Sequence, residues 1–381
     1  MEKVIIVGGG YGGLRAVERL ASNRDLSITL IDKNSYHYLQ TEAYRFMSGR
    51  LNTCDATYDL RTFCDYFENV SFVQDEAVGI EGNALHCKKK SYPFDKLIIA
   101  AGAKDFIPAS LQKYAYCIKD IQSAYAFKQT FLSILFERTT AKINKRHIVI
   151  GGAGQSGVEL AADLMSIAND CGNTTGRSNE IIVTLIEGTD AILPGVSRSL
   201  QQEAAKRLFE LGVNIKTGDF IEAIDENCLT VGGECIDYDL FLFSGGIEPS
   251  SFIKALPFDK NEKGFLLVNE KLQIASNIFA IGDAAVIKDS SGSVLPPTAQ
   301  LAEQSAEYVA KVINESHERA FEGRIYGMFT ALGYRYGVGE LFGRFHFKGR
   351  TAYFMKEMIT KLYAFGIRTK INSAYFRRKK V

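Results

Sequence analysis

The stretch "VIIVGGGYGGL", Val4–Leu14, places closely spaced glycines directly after four branched apolar residues. The run Val4–Val7 is typical of a strand buried on both faces inside a parallel sheet. Gly8, Gly10 and Gly13 satisfy the spacing G-x-G-x-x-G. Glycines at this spacing allow a tight turn, the approach of a pyrophosphate to the backbone, and close packing of the following helix. The stretch therefore predicts a strand, a turn and a helix whose N-terminus binds phosphate.

A second apolar run, "LSITLID", follows this stretch and ends at Asp32, 24 positions after Gly8. Leu14, Val17 and Leu20 lie between the two runs at helical spacing. An acid at the end of the second strand can accept hydrogen bonds from a ribose diol. Strand, glycine turn, helix, strand and acid in this order predict a dinucleotide-binding module.

The same order occurs again in "HIVIGGAGQSGVELAADL", His147–Leu164, and in "IIVTLIEG", which carries Glu187. The second glycine triplet is Gly152, Gly154 and Gly157. A carboxylate at position 187 would pair with a ribose 2′-hydroxyl and repel a 2′-phosphate, so the second module favours NADH over NADPH. The polar stretch 169–180 is expected to form an insertion between the helix and the strand.

Composition indicates an ordinary globular protein with room for two or three domains. Of 381 residues, 46% are hydrophobic and 23% are charged. The 45 Lys and Arg residues balance the 44 acids, which offers no electrostatic case for nucleic acid. The first strand begins too early for a secretory signal, and no apolar run approaches the roughly 20 residues of a membrane-spanning helix. We therefore expect a cytoplasmic protein.

Cysteine and histidine show no spacing that indicates a special site. The seven cysteines, at positions 54, 64, 87, 117, 171, 228 and 235, contain no C-x-x-C pair, which predicts reduced thiols used in packing. The five histidines contain no metal-ligand spacing, so we expect no metal site.

Two further apolar strands run into glycine. "KLIIAAGA" reaches Gly102, and "NIFAIGDAA" reaches Gly282 and Asp283. Taken without its context, the stretch "NIFAIGDAA" predicts only a strand and a turn in which Asp283 is a capping acid. Behind two nucleotide modules, Asp283 is also suited to accept hydrogen bonds from the ribityl hydroxyls of a flavin.

With these motifs the chain resembles the flavoproteins that bind two dinucleotides, and among them the type II NADH dehydrogenases, which are single-subunit NADH:quinone oxidoreductases. The resemblance covers nearly the whole chain and includes "SYHYLQTEAYRFMSG", Ser35–Gly49, and "LFLFSGGIEPS", which begins at Leu240. The segment "TAQLAEQ", Thr298–Gln304, is the most specific part, because the glycine loops are shared by the wider superfamily.

The resemblance implies a cofactor, a co-substrate and an acceptor. Tightly but non-covalently bound FAD would lie on Gly8, Gly10, Gly13 and Asp32, with Gly102 and Asp283 along its length. NADH, as co-substrate, would lie on Gly152, Gly154, Gly157 and Glu187. Glu159 would be catalytic where nicotinamide and flavin meet, and Gln300 and Gln304 would be catalytic on the quinone side. The implied reaction passes a hydride from NADH to FAD and then two electrons to menaquinone or ubiquinone, without proton pumping.

The expected fold class is α/β, with two Rossmann-like domains arranged as in glutathione reductase. A discontinuous FAD domain would comprise residues 1–112 and 246–325, and an NADH domain would comprise residues 113–245. Residues 326–381 would form a C-terminal, basic, amphipathic region that docks on a membrane.

The C-terminal region differs in charge from the rest of the chain. From residue 343 to residue 381 it holds eleven Lys or Arg residues and one acid, Glu357. Apolar residues at helical spacing are Met355, Met358 or Ile359, Leu362 and Phe365; Lys356, Glu357, Thr360 and Lys361 lie opposite. This pattern suits a helix that lies in a membrane interface and is attracted to anionic lipid. We therefore expect a peripheral, monotopic protein on the cytoplasmic face of the cell membrane. Alternatively, the apolar stripe packs on the protein itself or on a second subunit of a homodimer.

Other activities stay open at this stage. A sulfide:quinone oxidoreductase would need a cysteine toward the C-terminal end, and none follows Cys235. A soluble NADH oxidase or diaphorase and a flavin-binding redox sensor are the remaining alternatives. The chain departs from the common family pattern at Ser305 and Ala306 and at residues 41–43, where a proline and an apolar pair are usual. These departures put the identity of the electron acceptor in doubt more than that of the flavin.

Overall fold

The computed structural model describes residues 1–136, 145–175, 180–315 and 317–378. Two open, mainly parallel sheets form the body of an α/β fold. The α-helices of these residues are α1 (Tyr11–Leu20), α2 (Ala43–Met47), α3 (Thr53–Ala56), α4 (Leu60–Cys64), α5 (Ile121–Phe136), α6 (Gln155–Thr175), α7 (Arg198–Leu211), α8 (Ser251–Ala255), α9 (Ala299–Glu315) and α10 (Arg350–Arg378). Single turns of 3-10 helix are formed by Gln40–Glu42 and Gly282–Ala284.

The first sheet has six strands. Their order across the sheet is Gln273–Ala275, Ile278–Ala280, Lys96–Ile99, Glu2–Val7, Leu26–Asp32 and Val70–Gln74. All neighbours are parallel except the first pair. Glu2–Val7 lies in the interior of the sheet, and the strands that follow it in the chain lie on both of its sides. A crevice for a ligand is expected at its carboxyl end, where the strand order reverses.

The second sheet has four parallel strands, in the order Val213–Thr217, Ile181–Glu187, Arg146–Gly151 and Leu240–Phe243. Its first strand in the chain, Arg146–Gly151, again has later strands on both sides. The two predicted modules therefore have the same local topology, and the predicted strands ending at Asp32 and Glu187 are confirmed.

Smaller sheets surround these two. The three-stranded antiparallel sheets are Ala77–Glu81, Ala84–Cys87 and Ser91–Pro93; Ile221–Ile224, Cys228–Val231 and Glu234–Asp237; and Gly327–Ala331, Gly337–Leu341 and Phe345–Gly349. The two-stranded sheets are Tyr36–Tyr38 with Thr57–Asp59, Ala103–Asp105 with Ile247–Pro249, and Leu266–Leu267 with Ala285–Val286.

The connections between the two main sheets run side by side. Ala103–Asp105 leaves the first sheet, Ile247–Pro249 returns from the second, and the two strands pair antiparallel. The first sheet thus draws strands from both ends of the chain, in the order that the predicted discontinuous domain requires. The boundaries at residues 112 and 246 stay a prediction.

The third glycine of each triplet lets a helix pack closely on its strand. A Cβ atom on Gly13 would lie 1.8 Å from the carbonyl oxygen of Gly8, and one on Gly157 would lie 2.0 Å from that of Gly152. Both distances are far below van der Waals contact. No other residue fits either position without moving the backbone.

Two sequence predictions about the second module are wrong. The predicted polar insertion at 169–180 is not formed at residues 169–175, because α6 continues through them to Thr175, and Asn169 Nδ2 donates to Leu211 O at 3.0 Å. Residues 176–179 of that prediction lie outside the described residues. Tertiary contact here outweighs weak helix propensity. The cysteines are not all reduced, because Cys228 and Cys235, on adjacent antiparallel strands, form a disulfide.

The C-terminal region is a three-stranded sheet followed by α10, a helix of 29 residues. One face of α10 packs on the protein through Ala352, Lys356, Ile367 and Ala374, which are buried. Lys356 and Glu357 lie opposite the exposed apolar residues, as predicted, and both are buried against the protein.

The opposite face of α10 exposes apolar side chains. We call this set the outer stripe: Phe354, Met358, Ile359, Leu362 and Phe365, each exposed. The alternative in which the stripe packs on its own chain is therefore wrong. Within the described residues no helix is long and apolar enough to cross a bilayer.

The close packing of α6 predicts a difference between two alanine variants. Gly157→Ala should lower the free energy of unfolding by about 3 kcal/mol, because its Cβ meets backbone. Gly154→Ala is the matched control, since a Cβ there has no neighbour within 4 Å. Urea unfolding followed by circular dichroism measures both, and equal stabilities would contradict the packing argument.

Candidate functional site

A cavity of about 1150 Å³ opens at the carboxyl edge of the first sheet. This is somewhat larger than most small-molecule sites, so an extended ligand such as a dinucleotide has room in it. Seven of the predicted site residues line it: Gly8, Gly10, Asp32, Gly102, Glu159, Asp283 and Gln300.

The first glycine loop has the shape that a phosphate requires. Gly8 has a φ of +108°, and a Cβ there would lie 2.3 Å from Ala100 O. Gly10 precedes the first residue of α1, and a Cβ on it would meet no atom within 4 Å. The open space before the helix N-terminus fits a pyrophosphate group, which backbone N–H groups and the helix dipole both favour.

Asp32 is tied to this loop by its carboxylate. Oδ2 accepts from Gly9 N at 2.6 Å, and Oδ1 accepts from Asn34 N at 2.7 Å. Burial raises the pKa of Asp32 above its ordinary value, against these two donors, which lower it. The acid thus stands beside the loop where a ribose would follow a pyrophosphate.

The second glycine loop repeats this arrangement. Gly152 has a φ of +102°, and a Cβ on Gly154 would again meet no neighbour within 4 Å. Glu187 Oε2 accepts from Ala153 N at 2.7 Å, as Asp32 accepts from Gly9. In both modules the acid binds the residue directly after the first glycine, so the sequence repeat is also a repeat of geometry.

An exposed aromatic ring beside Glu187 was not predicted. The Phe220 side chain is 73% exposed and lies where a Cβ of Gly188 would be, 2.2 Å from the nearest ring atom. Gly218 N donates to Glu187 O at 2.9 Å and to Thr189 O at 3.0 Å, which fixes the segment next to the acid. The glycine after Glu187 was the available signal, because only glycine leaves room for the ring.

The Gly-Asp turn is held from two sides. Lys119 Nζ contacts Asp283 Oδ2 at 2.8 Å, and Gly282 N donates to Ser305 Oγ at 3.1 Å. Ser305 is fully buried. This departure from the family pattern therefore supports the turn that carries Asp283.

A buried ion pair joins α6 to α10 at the cavity. Glu159 Oε1 accepts from Lys356 Nζ at 2.5 Å and from Ala331 N at 2.9 Å. Glu159 is 4% and Lys356 8% exposed, and both line the cavity. Burial raises the pKa of Glu159, while Lys356 acts in the opposite direction. Lys356 was not predicted as a site residue, because its partner lies 197 positions away in the chain.

The two predicted glutamines lie one turn apart on α9, and only one of them lines the cavity. Gln300 lines the cavity, and its Oε1 accepts from Tyr326 N at 2.8 Å. Gln304 lies outside the lining, and its amide binds both N and O of Arg324 at 3.0 and 2.8 Å. Gln304 is therefore next to Gln300 but does not line the cavity with Glu159 and Gln300.

A buried aromatic group connects α10 to the first glycine loop. His37 Nδ1 donates to Gly9 O at 3.0 Å, and Tyr363 OH donates to His37 Nε2 at 3.1 Å. Burial lowers the pKa of His37 to about 4, so the ring is neutral at physiological pH. The same helix thus contacts the loop and, through Lys356, the second module.

The described residues contain no group of three or more His, Cys, Asp or Glu side chains arranged to hold a metal ion. The polar groups that line the cavity include carboxylates, an amide and the backbone of the glycine loop, which are groups that bind organic ligands. Gly102, with a φ of +62° and open space at its Cβ position, lies along the same cavity.

Comparison with known proteins agrees with this geometry. Residues 2–306 match the family described as pyridine nucleotide-disulphide oxidoreductase. A type II NADH:quinone oxidoreductase of Staphylococcus aureus (strain NCTC 8325 / PS 47) is 30% identical over 380 residues, with 94% of each chain covered.

Two solved structures share the fold over most of their length. The NDH2 of Plasmodium falciparum in complex with NADH superimposes with a TM-score of 0.85 at 21% identity, covering 99% of this chain and 98% of that one. The sulfide:quinone oxidoreductase of Aquifex aeolicus gives a TM-score of 0.81 at 17% identity, covering 97% and 92%. The family match and the full-length relative together show that this chain belongs to the pyridine nucleotide-disulphide oxidoreductases and, among them, to the type II NADH:quinone oxidoreductases.

Proposed function

We propose that this chain oxidises NADH through FAD and delivers two electrons to a quinone dissolved in a membrane. As a type II NADH:quinone oxidoreductase, it is an FAD-dependent NADH dehydrogenase. One observation carries the assignment of sites: Gln155, Ser156 and Glu159, on the helix of the second module, line the same cavity as the first glycine loop. Ligands on the two modules would therefore meet in this cavity.

The first module is the proposed FAD site. Gly8, Gly10 and Gly13 would accommodate the pyrophosphate and the helix behind it, and Asp32 would accept from the adenosine ribose. Gly102 and Asp283 lie further along the cavity, and Lys119 orients the Asp283 carboxylate. When bound, FAD supplies a ring that accepts a hydride from NADH and returns two electrons to the quinone.

The second module is the proposed NADH site. Gly152, Gly154 and Gly157 repeat the phosphate-binding loop, and Glu187 is placed to accept from the 2′- and 3′-hydroxyls of the adenosine ribose. The Phe220 ring beside it offers a flat apolar surface for the adenine base.

On the acceptor side, three groups can bind or protonate a carbonyl oxygen. The Oε1 atom of Gln300 is engaged by Tyr326 N, so the Gln300 amide nitrogen is the atom available to donate. Glu159 and Lys356 hold a proton between them at the cavity wall. Gln304 would act only indirectly, by holding the backbone at Arg324.

The outer stripe of α10 is the proposed membrane contact. Ile359 belongs both to the outer stripe and to the cavity lining. Thr360, the next residue, also lines the cavity. A lipid-soluble quinone could therefore pass from an apolar phase along α10 into the cavity. Basic residues of the C-terminal region would favour anionic lipid on the cytoplasmic face. A homodimer that covers the same stripe is the alternative use of this surface.

Sulfide oxidation is disfavoured as the activity. Among the described residues, Cys117 is the cysteine that lines the cavity, and burial raises its pKa to about 11, which weakens it as a nucleophile. The disulfide Cys228–Cys235 lies outside the lining. Sulfide oxidation that relays sulfur between two cysteines at the flavin would need a second thiol in the cavity lining. The described lining residues include only Cys117.

The central test is a flavin spectrum. Purified protein should be yellow, and anaerobic NADH should bleach the flavin band. Menadione or a ubiquinone analogue should then restore it. Bleaching by NADH without recovery by any quinone would reject the quinone and favour an oxidase, a diaphorase or a redox sensor.

Glu187 should determine the preference for NADH. Glu187→Ala should raise the NADH concentration for half-maximal flavin reduction about tenfold, because a charged hydrogen-bond acceptor is lost. The preference of the enzyme for NADH over NADPH in flavin reduction should become smaller in the same variant. Stopped-flow bleaching measures both, and Glu210→Ala, on the exposed side of α7, is the control. An unchanged preference would move the NADH site elsewhere.

Membrane binding should depend on the outer stripe. Deleting the whole C-terminal region would also remove Lys356, so a double substitution is the cleaner change. Leu362→Ser with Phe365→Ser should weaken binding to vesicles of anionic lipid more than tenfold, since each side chain contributes about 2 kcal/mol of burial. Phe209→Ser, which alters an exposed residue of α7, should have no effect. Equal co-sedimentation of all variants would argue against the membrane contact.

A further inference from the structure

A network of buried charges lies behind the Glu159–Lys356 pair. Arg45 Nη1 donates to Glu42 Oε2 at 3.0 Å and to Glu357 Oε1 at 2.9 Å. Glu357 follows Lys356 directly on α10, so the two ion pairs are adjacent. Glu42, Glu159, Lys356 and Glu357 are all more than nine-tenths buried.

The charges of this network do not balance. Three carboxylates, Glu42, Glu159 and Glu357, face two enclosed cations, Arg45 and Lys356. Lys361 also contacts Glu357, at 3.0 Å, but its side chain is 74% exposed and its charge is screened by solvent. Nearby, Asp163 has its own partner in Arg50 at 2.9 Å. An unpaired buried carboxylate is costly, so this imbalance favours the protonated form of one of the three carboxyls.

Glu42 is the carboxyl that holds this proton most readily. Glu159 accepts from Lys356 and Ala331 N, and Glu357 accepts from Arg45 and Lys361. Glu42 shares one nitrogen of Arg45 with Glu357, and its buried Oε1 has no hydrogen-bond partner among the described residues.

The environment of Glu42 acts in the same direction. Burial raises its pKa and Glu357 adds to this, while Lys356 and Arg45 lower it. Glu159 also faces Glu42. Among the described residues, the phenols Tyr11, Tyr44 and Tyr353 also face Glu42; their pKa values are raised mainly by burial, so they stay neutral.

Glu42 stands next to the cavity without lining it. Thr41 and Ala43, on either side, are lining residues. These three positions are where the sequence departs from the proline and apolar pair common in the family. The departure therefore adds a buried acid directly behind the cavity wall.

We propose that Glu42 resupplies protons to the Glu159–Lys356 pair during quinone reduction. The inference rests on the proposed function and deepens it. The overall reaction, NADH + H⁺ + quinone → NAD⁺ + quinol, takes one proton from solvent in each turnover. An N–H bond of Lys356 breaks as a quinol O–H bond forms; the Glu42 carboxyl then passes its proton to the Lys356 amine and regains one from solvent. No electrons move in this relay.

The test compares acceptors that do and do not need protons. In the FAD-loaded enzyme, Glu42→Gln should lower kcat with menadione about tenfold or more. Flavin reduction by NADH should be unchanged, because hydride transfer takes up no proton. Turnover with ferricyanide should also be unchanged, because ferricyanide accepts an electron alone. Glu42→Asp should restore most of the menadione activity.

The pH profile gives an independent readout. The protonated form of Glu42 is the donor, so the wild-type kcat with menadione should fall as the pH rises through the raised pKa of Glu42. This fall should be absent from Glu42→Gln. Flavin content and thermal midpoint check folding, and a wild-type kcat that does not depend on pH would overturn the proposal without any variant.

Glu303→Gln is the matched control. Glu303 is also partly buried and paired with arginine, through Arg15 at 2.7 Å, but lies outside the network. Equal menadione turnover in Glu42→Gln and Glu303→Gln would overturn the proposal, as would an equal loss with ferricyanide in Glu42→Gln. A wild-type enzyme that accepts NADH but reduces no quinone would instead overturn the proposed function.

Discussion

The buried ion pair between Glu159 and Lys356 is the contact on which the arrangement of the site depends. It binds the C-terminal helix to the helix of the second module at the wall of the cavity. Removing one partner would leave a buried charge unpaired, a change that typically costs about 3 to 5 kcal/mol. Because Lys356 must face inward, the opposite face of α10 must face outward. One contact thus closes the cavity and also orients the apolar stripe toward solvent or a membrane.

The nucleotide modules rest on a repeated backbone device. In each, the first glycine has a positive φ, the second leaves open space, and the third brings helix against strand. The acid at the end of the next strand then accepts from the residue after the first glycine. In the proposed assignment, phosphate and ribose would be recognised by main-chain geometry and one carboxylate, which would allow the two modules to differ in nearly every other side chain.

The C-terminal helix connects parts of the molecule that are distant in sequence. It contacts the second module through Lys356, the first glycine loop through Tyr363 and His37, and α2 through Glu357 and Arg45. Polar groups on its inner face become buried only because each finds a partner there. The apolar residues of its outer face stay exposed, and Ile359 marks the point where this face borders the cavity.

The sequence by itself determined the two modules: strand, glycine triplet, helix, strand and acid were all predicted at the residues where they occur. This succeeded because the signals are local, a run of branched residues for a buried strand and glycine wherever a Cβ would strike the backbone. Only the tertiary structure decided that Lys356 is buried on Glu159, that Gln304 binds Arg324 outside the cavity, that α6 continues to Thr175, and that Cys228 and Cys235 are joined. Each depends on groups brought together by packing; the helical pattern placed Lys356 opposite the apolar residues but could not identify its partner. From a helical pattern alone, a lysine is expected to be solvated. Lys356 is buried because the fold brings a buried carboxylate to it, and that carboxylate lies 197 positions away.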